Sequence, residues 1–514
     1  MSREEPASSD PAGQRPRHGV SMQGSGPSPA GGLFASIFTT DEMAEATSDA
    51  AFVQAMLDVE AALSSAWAAA GVGTSADALL VRQCCRADLF DTAALGRAGR
   101  DSANPVLALV GALRELVAEA QASPGTPSAP RAPELVHRGA TSQDVLDTAM
   151  MLVARSGLAL VLSDLRASAH GAATLARTHR ETPMVARTLL KDALPTTFGA
   201  KAAGWLSGVL SAERSVREVS EHALALQLGG AAGTLAAFGP RAREVAGLVA
   251  AELGLEVPVV PWHAERSRIA AIAAALGMAS GVAGKIATDV CLMSQSGIEE
   301  VKEPGPPGSG GSSALPHKAN AALSVAARAS ALRAPQMVAT LFATMSHEHE
   351  RAAGSWHAEW LTLGELLRAA GGAVANVAVV LEGLEVDADV MRRNLDASQG
   401  AVMSEHVVGE LADELGVKRA RALVSEALGL AATNARAAAT DASKDGAAAH
   451  GAHGPSRRGG FQLELAALLL AGGSKVDDSY LDSMFDPEEY LGLAPEHADA
   501  VLAAYSKERE GWEP

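Results

Sequence analysis

The segment richest in potential chemistry reads Gly310-Gly311-Ser312-Ser313-Ala314-Leu315-Pro316-His317-Lys318-Ala319-Asn320. Two hydroxyls on a glycine-rich loop lead into a lysine and an asparagine at the expected start of a helix. Backbone N–H groups at a helix N-terminus favour anions, and Lys318 adds a full positive charge. A serine placed there can exchange a proton with carbon only if nearby donors and positive charge stabilise its alkoxide. An ordinary loop with a capping serine would have the same composition, so the residue types alone leave both readings open.

Two other segments carry polar groups in unusual density. His137-Arg138-Gly139-Ala140-Thr141-Ser142-Gln143-Asp144 precedes a long helical pattern. Capping accounts for Ser142 or Asp144, but it does not account for His137 and Arg138. Gln227-Leu228-Gly229-Gly230-Ala231-Ala232-Gly233-Thr234 superficially suggests a dinucleotide-binding turn. No strand precedes it, and that reading is rejected.

The elements that must position these residues are helices. The 514 residues are 48 % hydrophobic but only 4 % aromatic, so the core is built from Ala, Leu and Val. Ala and Leu favour helix, and β-rich folds draw more on branched and aromatic side chains. Ala-rich stretches at about 144–181, 198–225, 266–301 and 319–348 predict helices of about 25–35 residues, well beyond the common length. Such rods bury their faces only in a bundle, here expected to be shared between subunits. The expected organisation is an N-terminal tail (1–32), a helical domain (33–113), a central long-helix bundle carrying the serine loop (114–372) and a C-terminal helical domain (373–514). The tail has no apolar stretch and is not a signal peptide. A Pro/Ser/Gly loop is expected at 123–131. The His- and Gly-rich stretch at about 440–460 reads as a flexible insertion, more simply than as a metal site.

The net charge of −18 disfavours nucleic acid and acidic membranes as partners. An enzyme that binds small anions against this field must gather its Lys and Arg locally. No run approaches about 18 uninterrupted apolar residues, so no membrane span is expected. Cys84, Cys85 and Cys291 have no zinc-ligand spacing and read as reduced thiols of a cytoplasmic protein.

The serine loop resembles the GSSxMPxKxN signature of the fumarase/aspartase superfamily, with Leu315 in place of Met. The 137–144 segment is similar to its H-x-G-x-T-S-x-D region, and 227–234 to the turn before a central helix. The likeness spans about residues 33 to 505. It implies an all-α fold whose central helices assemble into a tetrameric core, with each active site shared between subunits. It further implies that Ser312 or Ser313 handles the proton alpha to a substrate carboxylate, Ser312 being slightly preferred. By the same resemblance His137, Arg138, Thr141, Ser142, Arg187, Gln227, Lys318, Asn320 and Arg351 bind substrate, with Arg266 and Lys302 as weaker candidates.

Within the superfamily, His349-Glu350-Arg351-Ala352-Ala353-Gly354-Ser355-Trp356-His357-Ala358-Glu359-Trp360 resembles the HERAAGxWxAEW phrase of its muconate cycloisomerase branch. Phe485-Asp486-Pro487-Glu488 to Gly492, and Thr47-Ser48-Asp49 to Leu63, are also similar. The lyases read R-T-H-x-Q where this chain has Arg187-Thr188-Leu189-Leu190-Lys191, and Val325 stands where they carry a partner Glu. A leaving amine or nucleotide needs such an acid, whereas a leaving carboxylate is already a stable anion. The resemblance therefore implies an intramolecular lyase of aromatic catabolism. It would add a carboxylate of a carboxylated muconate across a C=C bond, giving a lactone, with no metal or organic cofactor. Lys191, in place of the Gln, is a candidate for the third carboxylate. An adenylosuccinate lyase-like enzyme and an inactive scaffold of the same fold are the alternatives.

Overall fold

A computed structural model describes residues 32–123, 128–444, 459–474 and 477–512. The expected tail and most of the 440–460 insertion lie outside these residues, as does part of the 123–131 loop.

The N-terminal part centres on helix α1, Asp49–Ala69, which Ser48 caps by accepting from Ala51 N at 3.1 Å. Five long helices then form the body: α2 (Ser142–Thr178), α3 (Phe198–His222), α4 (Ser267–Met293), α5 (Ala322–Ala343) and α6 (Ser355–Gly383). They pack as a ring in the order α2, α3, α4, α5, α6 and back to α2, with α4 also touching α6. Their mutual faces supply much of one core, for example Leu158, Val161, Leu206, Ile272, Leu276, Leu366 and Val374.

Four of these rods fall where the sequence predicts them. The fifth, α6, was not among the expected rods, and it carries Gly371-Gly372 in its interior. Those glycines admit a neighbour: a Cβ on Gly372 would sit 1.8 Å from Phe38 O, and one on Gly371 would meet Met43. Three rods (α2, α4, α6) are apolar and long enough to cross a membrane by length and composition alone. Most of that apolar surface is buried in the bundle.

A smaller C-terminal core gathers Leu395, Val402, Val407, Leu411, Val424, Leu465 and Leu469. It includes parts of α7 (Val417–Lys444) and α8 (Gly460–Ala471). The last helix, α9 (Ala494–Glu510), returns to the bundle, and Tyr505 Oη lies 3.3 Å from His170 Nδ1 of α2.

Two small sheets were not anticipated. β1 (Pro183–Thr188) and β2 (Lys191–Thr197) form an antiparallel hairpin between α2 and α3. Its two turn residues, Leu189 and Leu190, have φ of 50° and 63°. A two-residue turn demands this left-handed backbone, and Asn-Gly normally supplies it. Leucine gives no sequence signal for such a turn. Val301–Lys302 pairs with Glu385–Val386 beyond α4 and α6.

The bundle has two chemically distinct ends. One gathers the starts of α2, α4 and α6, where Arg266 bridges Asp147 and Glu359. The other gathers the hairpin, the end of α4 and the start of α5, joined by Arg187–Glu300 and by Glu303 at the first turn of α5. Helix α4 runs between them, and its 27 residues span about 40 Å.

Candidate active site

The first end is organised around Asp144. Its buried carboxylate accepts from Thr141 N at 2.9 Å, Gly229 N at 2.8 Å and Gly230 N at 2.9 Å, and lies 2.7 Å from His263 Nε2. Thr141 is the N-cap of α2, so Asp144 is the reciprocal capping partner and also a staple to the 227–234 turn. The 137–144 and 227–234 segments therefore meet within one chain. The glycine N–H groups facing Asp144 are saturated by it, which removes the chemistry of an anion-binding turn.

Around this staple, His137 hydrogen-bonds buried Glu60 through both its backbone N–H and Nδ1, each at 2.7 Å. Arg138 lies over the Trp67 ring at 5.4 Å. Ser142 opens the helix, half-buried. Exposed Arg351 donates from Nε to Gln143 Oε1 at 3.1 Å and from Nη2 to Ala231 O at 3.2 Å. His137, Arg138, Thr141, Ser142 and Arg351 are thus neighbours by segment.

Two expected substrate contacts at this end are corrected. Gln227 is fully buried, donating to Asp147 Oδ2 at 3.3 Å and accepting from Trp262 N at 3.0 Å, so its amide is structural. Arg266 is also buried, held by Asp147, Glu359 and the face of Trp262. Burial opposes its charge, but Asp147 and Glu359 outweigh that and keep its guanidinium above the ordinary arginine range.

At the other end lies the serine loop. Gly310 O accepts from Asn320 N at 2.8 Å and from Asn320 Nδ2 at 2.7 Å, which closes the loop on itself. Gly310 has φ of 67°, and a Cβ there would lie 2.0 Å from Asn320 O. Inside the loop, Ser312 Oγ accepts from Ala314 N at 3.3 Å and Leu315 N at 3.2 Å. Two backbone donors on one hydroxyl oxygen are what a developing alkoxide needs. Ser313 and Lys318 are exposed, and neither side chain has a hydrogen bond or ion pair among the described residues.

Three expectations for this end are revised. The helix does not begin at Lys318 but at Ala322, and its N-terminus is not open to a substrate anion. Glu303 already fills it, accepting from Leu323 N at 3.1 Å and Ser324 N at 2.6 Å. Arg187 does not present a free fork either. Its Nη1 and Nη2 donate to buried Glu300 at 2.8 and 2.7 Å, and that hydrogen bonding holds it above its ordinary pKa range. Exposed Lys302 pairs with Glu385 at 3.0 Å. Among the groups not anticipated is Lys201 beside this cluster, whose ammonium burial pushes below the usual lysine range against the opposing pull of Asp289.

Leu189, where the lyases have an acid, is 98 % exposed at the hairpin tip, and Val325 is exposed one turn into α5. Lys191 is exposed at the start of β2.

A helical bundle with a closed serine loop at one end and a carboxylate-stapled hydroxyl segment at the other defines a lyase scaffold. A family model described as lyase matches residues 37–334. A 3-carboxy-cis,cis-muconate cycloisomerase of Bradyrhizobium diazoefficiens is 46 % identical over 77 % of this chain and 86 % of its own. A nitrosuccinate lyase of Streptomyces davaonensis is 39 % identical over 92 % of this chain and 94 % of its own. The crystal structure of the 3-carboxy-cis,cis-muconate lactonizing enzyme of Pseudomonas putida superposes with a TM-score of 0.80 at 35 % identity, covering 92 % of this chain and 99 % of the other. The chain belongs to this lyase family.

Proposed function

We propose that the protein is a 3-carboxy-cis,cis-muconate cycloisomerase, an intramolecular lyase acting in aromatic catabolism. A carboxylate oxygen of the substrate adds to the carbon beta to another carboxylate, and the alpha carbon takes a proton. Ser312 delivers that proton, and the backbone N–H groups of Ala314 and Leu315 stabilise the alkoxide it leaves. Lys318, on the same loop, and Arg351 hold carboxylates.

The observation that carries this reading is the absence of an acid at Leu189 and Val325 beside an intact serine loop. In the reverse direction the leaving group is a carboxylate, which needs no proton. The same absence suits nitrite, another stable anion, so nitrosuccinate elimination is a second reading, supported by the Streptomyces davaonensis relative. Adenylosuccinate-type elimination, with its basic leaving group, is disfavoured on the same ground.

On this reading the site draws on more than one copy of the chain. Ser312 and Arg351 belong to opposite ends of rods about 40 Å long, so a substrate of a few ångströms cannot touch both within one chain. Antiparallel packing of copies brings unlike ends together. Exposed apolar side chains on the bundle, including Val325, Leu332 and Phe342 on α5 and Leu361 on α6, supply a surface for it. A homotetramer in the cytoplasm is the expected form.

The test is the ultraviolet absorbance of 3-carboxy-cis,cis-muconate with wild type and with the Ser312→Ala, Ser313→Ala double variant. Loss of the diene band with wild type alone is the expected result. A stable band with wild type overturns the assignment, and nitrite release from nitrosuccinate then decides the second reading.

A further inference from the structure

Gln143 is fully buried, and the chemistry of its neighbours dictates its orientation. Its Nε2 lies 3.0 Å from Asp147 Oδ2 and 2.9 Å from the backbone oxygen of His263. Both partners are pure acceptors, so the NH2 group must face them and both its hydrogens are used. The amide oxygen is thereby turned outward, and it accepts Arg351 Nε at 3.1 Å.

The inner partners are themselves fixed. Asp147 Oδ1 accepts from Trp356 Nε1 at 2.8 Å, and Arg266 reaches both Asp147 oxygens at 2.8 and 3.1 Å. The His263 oxygen also meets His347 Nδ1 at 3.2 Å. An amide in this position cannot flip without setting its oxygen against a carboxylate, so the acceptor offered to Arg351 is locked.

Arg351 is held at two points, Nε by Gln143 and Nη2 by Ala231 O at 3.2 Å. Its Nη1 makes no hydrogen bond among the described residues and faces away from the Nε anchor by the geometry of the fork. A planar guanidinium held along one edge presents the other edge in a set direction, which suits a carboxylate.

We infer that Gln143 is a positioning residue: it sets the direction in which Arg351 offers its outer guanidinium nitrogens to a substrate carboxylate. This rests on the cycloisomerase reading, in which Arg351 binds a carboxylate, and adds the group that aims it. The substrate touches Arg351; Gln143 acts only through it.

A double-mutant cycle on the assembled enzyme tests it, using the muconate absorbance assay on wild type, Gln143→Met, Arg351→Lys and the pair. Gln143→Met is expected to raise KM about tenfold with a much smaller change in kcat, and to have almost no effect in the Arg351→Lys background, where there is no guanidinium edge for Gln143 to hold. A purely structural glutamine would weaken the enzyme by the same factor in both backgrounds, and that result overturns the inference while leaving the reaction standing. Arg351→Lys serves if Gln143→Met does not fold, because it alters only an exposed side chain. It keeps the charge but loses the edge that Gln143 holds, so its KM is expected to rise about tenfold over wild type. A wild-type KM in Arg351→Lys would show that charge alone suffices and overturn the positioning role. No turnover by wild type would overturn the reaction and this inference together.

Discussion

Arg187 and Glu300 form a two-pronged ion pair across 113 residues of sequence, Nη1 to Oε2 at 2.8 Å and Nη2 to Oε1 at 2.7 Å. Asn394 adds a third donor to Glu300 at 3.0 Å, and the carboxylate is fully buried. This places Arg187 in the framework that ties the hairpin to the segment before the serine loop. Removing one partner of such a buried pair typically costs about 3–5 kcal/mol. Arg187→Lys keeps the charge but cannot reproduce the fork. It is expected to lower the thermal midpoint with little change in KM. Calorimetry with steady-state kinetics checks this: a raised KM at unchanged stability would show that Arg187 reaches the substrate.

Glu303 does for α5 what a capping residue normally does. Ala321, at the N-cap position, has no side-chain acceptor, and Glu303 reaches the first turn instead. Glu303→Ala is expected to cost about 0.5–2 kcal/mol, in the range of a lost helix cap. Because this turn follows directly on Asn320, kcat is expected to fall as well. Urea unfolding measures the first effect, and an unchanged midpoint would mean that water replaces the carboxylate without loss.

Gly310 is a sharper test of the loop. Its positive φ and the 2.0 Å approach of Asn320 O leave no room for a methyl group. Gly310→Ala is expected to open the loop and reduce kcat at least a hundredfold, as misplaced catalytic groups do. The helical circular dichroism should stay as in wild type, since no helix depends on this residue. Full activity in Gly310→Ala would mean that closure by Asn320 is not needed for turnover.

These residues also show what sequence reveals and what it withholds. The rods at α2 to α5 were legible because Ala-rich composition and spacing are local properties. The hairpin was not, since Leu189-Leu190 occupies a turn that glycine or asparagine usually marks. The polar segments themselves were visible, but the state of each charge was not. Arg187, Arg266 and Gln227 look like candidate ligands in sequence. Their partners Glu300, Asp147, Glu359 and Trp262 lie 35 to 119 residues away. Only the fold reveals that those side chains are already engaged. Gln143 was overlooked for the converse reason: it fills an unspecified position of its motif, and the contacts that single it out are to His263 and Arg351 on two other segments.

The division of the site between two ends makes one prediction that single variants cannot. Ser312→Ala removes the proton donor at the loop end, and Arg351→Ala removes a carboxylate ligand at the opposite end, so each is expected to be nearly inactive alone. If each site takes its loop from one chain and its 137–144 segment from another, a co-assembled mixture contains some sites with both groups intact. For equal amounts assembling at random that fraction is about one quarter. Mixing the two purified variants under conditions that dissociate and then reform the oligomer should therefore restore about a quarter of wild-type turnover. Each variant treated alone should stay inactive. The same arrangement predicts that wild-type activity per chain falls on dilution below the assembly threshold, which sedimentation velocity locates independently. A mixture that assembles fully yet recovers nothing would place Ser312 and Arg351 of the same chain in one site, against the length of the rods that separate them.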